Sequence, residues 1–286
     1  MSGGSYYVPA TSRWPVLCSL ALGVMMIGLG IKLVYDTGLH LAFIGVIGIV
    51  AVMWLWFRDV VIESQGGLYD AQMDRSFRWG MGWFVFSEVM FFAAFFGALF
   101  YVRMFAIPWL GGEGSKGVAA LLWPDFVAHW PLINPPDSSI SGPQQVFSPW
   151  QLPLVNTLIL ITSSITLTIA HEALKEGYRK ACRNWLTGTV LLGVCFIIIQ
   201  GVEYYEAYAH YGITLEAGIF GATFFILTGF HGVHVIVGTL ILATILVRIQ
   251  KGHFAHENHF GFEASCWYWH FVDVVWVGLF IFVYVL

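Results

Sequence analysis

Seven stretches of this chain are mostly apolar and long enough to cross a membrane as helices: roughly residues 14–35, 39–57, 79–105, 153–173, 185–206, 217–247 and 260–286. At ~1.5 Å per residue, about 20 such residues match a hydrocarbon core ~30 Å thick. Lipid offers no hydrogen bonds, so every backbone N–H and C=O must find its partner within the protein, and helices of this length do that internally. The expected fold class is therefore all-α integral membrane, with seven transmembrane helices. Only 10% of the residues are charged, against about a quarter in a soluble domain. The apolar runs recur from Trp14 to the last residue, so residues 1–286 read as a single membrane domain. The first run lacks a basic leader and a small-residue cleavage site, so it reads as the first span and not as a signal peptide.

Seven spans place the termini on opposite sides. Arg13, Arg58, Arg75, Arg78, Lys175, Arg179, Lys180, Arg183, Arg248 and Lys251 fall on one side, and Lys32, Arg103 and Lys116 on the other. The positive-inside tendency then makes residues 1–13 a cytoplasmic segment, or a matrix one in a mitochondrion, and puts the C-terminus outside. The net charge of −4 comes without a polybasic tract, which argues against nucleic acid as a partner. Cys18, Cys182, Cys195 and Cys266 are scattered with no Cys-x-x-Cys pair, so neither a disulfide framework nor a thiolate metal site is indicated. The outer loop, residues 106–152, is rich in Pro, Gly, Ser and Trp; it reads either as an ordered cap on neighbouring helices or as a flexible surface loop.

An ionisable side chain at membrane depth costs at least ~2.5 kcal/mol for an acid on insertion scales, so each one asks for a partner or a purpose. Glu88 lies ten residues after Arg78, or ~15 Å into the core. It is a proton-exchanging or sensing carboxyl, or else a neutral acid hydrogen-bonded to another helix. His231 and His234, three apart in FHGVHVIVG, share nearly one helix face and could supply two metal ligands or two interhelical hydrogen bonds. In the last span Glu263, His270 and Asp273 also share a face, as a proton relay or as a buried ion pair. Gln200, Glu203 and Glu206, among Tyr204, Tyr205 and Tyr208, read as an interfacial belt whose carboxylates face a neighbouring helix. The fourth span carries Asn156, Thr157, Thr162, Ser163, Ser164, Thr166 and Thr168, a composition that suits close helix packing.

These motifs together resemble one family. The run from His259 to Trp276, with SEVMFF, EYYEA, TGFHGVHVIVG, PLVNT and WFRDVVIES, is similar to the signature of cytochrome c oxidase subunit III, and the match covers nearly the whole chain in order. The resemblance implies a two-helix and a five-helix bundle separated by a V-shaped cleft that holds phospholipids. It implies no catalytic residue, metal or cofactor on this chain, with haem a and copper carried by subunits I and II and cytochrome c as substrate of the complex. The implied role is to stabilise the catalytic subunit and to support proton uptake, with Glu88 as the proton-related carboxyl. It also makes Arg78, Arg248, Lys251 and His253 candidates for phospholipid headgroup contacts, and leaves His231, His234, Glu263, His270 and Asp273 as a buried polar network. Where many relatives carry a His pair after the second span, this chain has Leu68 and Tyr69, which removes any role of those histidines. The long outer loop points to a bacterial plasma membrane. Two readings from other classes remain: a membrane metalloenzyme using His231, His234 and His270, and a proton-coupled transporter using Glu88.

Overall fold

The computed structural model describes residues 11–114, 117–137, 139–254 and 259–286. Residues 1–10 of the N-terminal segment, and Lys116 from the cation count, lie outside the described residues. Among the described residues seven helices are long and apolar enough to cross a membrane: α1 Trp14–Tyr35, α2 Leu39–Gln65, α3 Ala71–Leu110, α4 Leu152–Lys175, α5 Arg179–Ala209, α6 Gly218–Gln250 and α7 Phe260–Val285. The chain is a multi-pass membrane protein. Several helices outrun their apolar stretch: α2 continues past residue 57 to Gln65, and α5 begins at Arg179. Residues such as Arg58 and Lys180 there are good helix formers but too polar for the span itself.

Local chemistry sets the helix ends. Pro15 opens α1 and Pro153 opens α4, in the first turn, where a missing N–H costs nothing. Asp70 caps α3, its Oδ1 accepting the Met73 amide at 2.8 Å. Near the far end of α3, Pro108 would break regular α-helical bonding, and the helix relaxes into a π turn over Val102–Ala106 before it.

The chain divides into two compact units, residues 1–79 and 80–286. In the first, α1 and α2 turn sharply at Asp36 and at Gly38, whose φ of 91° suits glycine. Their backbones then meet where side chains vanish: a Cβ on Gly28 would lie 2.3 Å from the Ala42 nitrogen, and one on Gly45 would lie 2.4 Å from the Met25 nitrogen. Such small residues are how lipid-solvated helices gain contact. The Trp14 indole donates to Asp59 at 3.0 Å, and Tyr69 donates to Glu63 at 2.8 Å.

In the second unit, α4 to α7 with the rest of α3 enclose the main core. The hydroxyls of α4 serve packing, as their composition suggested. Ser163 accepts from Trp269 at 2.9 Å, Thr157 accepts from Trp276 at 3.0 Å, and Thr166 bonds Thr189 of α5 at 2.8 Å. Both tryptophans are fully buried. Thr157→Val keeps the shape but strands the Trp276 N–H, and is expected to cost about 1–3 kcal/mol. Unfolding of the detergent-solubilised protein checks this, and a loss below ~0.5 kcal/mol would contradict the pairing.

Between α3 and α4 the chain packs on the ends of α5 and α6. Phe147 stacks on Phe224, the Gln144 amide donates to the Tyr211 carbonyl at 2.8 Å, and Trp130 packs edge-on to Phe220. Of the two readings of this loop, an ordered cap is the one these contacts describe. Arg103 of α3 lies over the Trp130 ring and donates to the Phe282 and Leu286 carbonyls, where it satisfies the last turn of α7.

Candidate functional site

The carboxyl that sequence alone left without a partner has one. Glu88 of α3 and His234 of α6 meet in the span, with Oε2 and Nε2 2.9 Å apart. The side chains are 22% and 14% exposed respectively, so the pair is screened but not sealed. The ring's other nitrogen fixes the chemistry. His234 Nδ1 lies 2.6 Å from the Phe230 carbonyl oxygen, which has no proton to give, so Nδ1 is the donor. At the contact, either a carboxylic acid donates to Nε2 or an imidazolium donates to the carboxyl group. Phe91 and Phe92 flank the imidazole and Tyr268 stacks on it, with ring centroids 6.2, 5.1 and 6.3 Å away. This apolar wall strengthens whichever hydrogen bond forms.

His231, one turn earlier, goes elsewhere. It is buried, and its Nε2 donates to the Val272 carbonyl of α7 at 3.2 Å, with the ring packed against Trp276 and Phe196. The two histidines on nearly one face of α6 thus serve different helices. Among the described residues no group of three or more His, Cys, Asp or Glu could hold a metal ion.

His270 of α7 turns both ring nitrogens to α4, with Nδ1 3.2 Å from the Ser164 hydroxyl and Nε2 3.4 Å from that of Thr168. Neither nitrogen faces Asp273, so the relay through that pair has no hydrogen bond to run on. Asp273 Oδ1 is buried without a hydrogen-bond partner. Glu263 sits in the first turn of α7, within electrostatic reach of His171. The five residues expected as one network therefore divide among separate sites, because helix spacing fixes which face a residue shares but not which neighbour covers that face.

Of the headgroup candidates, Arg248, Lys251 and His253 gather at the end of α6. The Arg248 guanidinium stacks over Phe254 at 4.3 Å. Partial burial, then the Arg248 and Lys251 charges, push the His253 imidazole below its usual range, so near neutral pH it meets an anion as a hydrogen-bonding group rather than a cation. Arg78 lies in the other unit and pairs with Asp74 at 2.7 Å.

Sequence reasoning missed the partner of Glu203. This residue is fully buried, and the Tyr284 hydroxyl donates to its Oε1. Tyr204 bonds Thr228 of α6 at 2.8 Å, while Tyr205 and Tyr208 are exposed as belt residues would be.

The profile described as "Cytochrome c oxidase subunit III" matches residues 4–134 and 136–286. The chain belongs to the cytochrome c oxidase subunit III family. Among the curated relatives of this family, the "Cytochrome c oxidase subunit 3" of Scyliorhinus canicula is 39% identical over 280 residues, covering 98% of this chain and 96% of the relative. Proteins of the same description from Gadus morhua and Sus scrofa are 37% and 38% identical over 281 residues, with the same coverage. The matched residues include both helices of the Glu88–His234 pair, α3 and α6.

Proposed function

We propose that this chain is the non-catalytic subunit III of an aa3-type cytochrome c oxidase, assembled with subunits I and II, which carry haem a and copper and take electrons from cytochrome c. In this reading it does no redox chemistry itself. It steadies the catalytic subunit and supports proton uptake during oxygen reduction coupled to proton pumping. Bound phospholipids complete it, with Arg248, Lys251, His253 and Arg78 offered to their headgroups at the side rich in cations. That side is the cytoplasmic one and the C-terminus lies outside, in a bacterial plasma membrane. Support for the placement comes from the cation asymmetry and, for the membrane type, from the long connection between α3 and α4.

The observation that carries the proton role is the Glu88–His234 contact. Two titratable groups 2.9 Å apart can pass a proton between them while the pair stays net neutral, so the proton can move within the span without leaving a net charge in lipid. Glu88→Ala in the whole oxidase is expected to leave the haem spectrum intact while lowering sustained turnover or the protons pumped per electron. Glu88→Gln, which keeps a hydrogen bond to His234 but carries no exchangeable acid, should share the defect. Loss of haem incorporation in both variants would make the pair structural, and unchanged turnover and pumping in both would remove its proton role.

A further inference from the structure

A second polar site lies where α4, α5 and α7 meet, apart from the Glu88–His234 pair. Asn156, Gln200, Glu203 and Tyr284 are all buried there, Asn156 and Glu203 completely. Two hydrogen bonds join them: the Asn156 amide donates to Gln200 Oε1 at 3.4 Å, and Tyr284 donates to Glu203 Oε1. Three buried polar atoms of this one cluster make no hydrogen bond of good geometry within the protein, namely Asn156 Oδ1, Gln200 Nε2 and Glu203 Oε2, with the Gln200 side chain in range of both Glu203 and Tyr284. Gln200 and Glu203 are one turn apart and share a face of α5, which Asn156 of α4 meets through its bond to Gln200. Buried polar atoms are almost always satisfied, and three orphans on contacting residues call for a shared ligand.

We propose that Asn156, Gln200 and Glu203 bind one internal water molecule. The chemistry of the three atoms selects it. A metal cation would find the carboxyl and amide oxygens congenial but would meet an amide N–H. Exchanging O and N of both amides preserves the Asn156–Gln200 bond and still leaves one free N–H and one free oxygen. An anion would meet the Glu203 carboxyl. Water accepts from the amide and donates to the amide oxygen in either assignment. Toward Glu203 it donates to a carboxylate or accepts from an acid, so no protonation state of that residue excludes it. Three protein partners is also the usual number for a buried water. The site makes the joint between α4, α5 and α7 a hydrated one.

The test is a structure of the chain in the assembly purified from native membranes, at a resolution that shows ordered water. One density peak within about 3.2 Å of all three groups is expected. Asn156→Leu, which removes one of the three partners, should lose that peak. Gln200 Nε2 bonded directly to Glu203 Oε2 with no peak between them would overturn the proposal, and so would a peak coordinated at metal distances. If Asn156→Leu does not assemble, the unmodified protein alone decides.

Discussion

Trp269→Ala is expected to destabilise the five-helix part of the chain by about 3–5 kcal/mol, the range for deleting a fully buried aromatic ring. The ring belongs to α7 and its N–H is taken by Ser163 of α4. Its faces are received by two glycines: a Cβ on Gly193 of α5 or on Gly238 of α6 would lie 2.9 Å from its carbons. One side chain therefore ties four helices, against two positions where a glycine leaves room for the ring. Trp269→Phe fills part of the volume and should recover roughly half the loss, leaving the Ser163 hydroxyl without its donor. The denaturant midpoint of the detergent-solubilised protein reads both effects. A loss below ~1 kcal/mol for the alanine variant would mean that the bundle does not close around this ring.

Gly45→Leu is expected to part α1 from α2. Ordinary overpacking costs about 1–3 kcal/mol because side chains yield, but here the obstacle is the Met25 backbone, 2.4 Å from any Cβ at position 45. The helices can only separate, and with them the Gly28–Ala42 contact one end further along. Cysteines at Ala21 and Gly48, whose Cβ positions lie 3.2 Å apart, are close to disulfide range. In a Cys18→Ser background the pair should cross-link on oxidation, and Gly45→Leu should abolish the cross-link. Unchanged cross-linking with leucine at 45 would show that the two helices do not cross there.

Most of the fold was legible because lipid imposes a length and an apolarity that a sequence must display. The helix extensions were not legible, since Arg58–Gln65 or Arg179–Arg183 fold as helix for reasons that hydropathy does not record. The hydroxyls of α4 announced packing, but that Ser163 and Thr157 would each take a tryptophan N–H depends on rotation of α4 against α7. The site was half legible. Glu88 and His234 both stood out, each as an ionisable group inside an apolar run, yet 146 residues separate them and no periodicity links one helix to another. His231 and His234 show the same limit in reverse, sharing a face in sequence and parting in space. For Glu203 the three-residue spacing from Gln200 was a usable signal of one buried polar stripe. The aromatic surroundings suggested an interface instead, and Tyr284, in the final turn of α7, carried no sign that it would donate inward.

The most direct test of the subunit III reading is purification from native membranes through a tag on this chain, followed by an optical spectrum, metal analysis and identification of the co-purifying subunits. Haem a, copper and two larger redox subunits are expected in constant ratio to the tagged chain. A chain that purifies alone, or with its own stoichiometric metal and no haem a, would contradict the account.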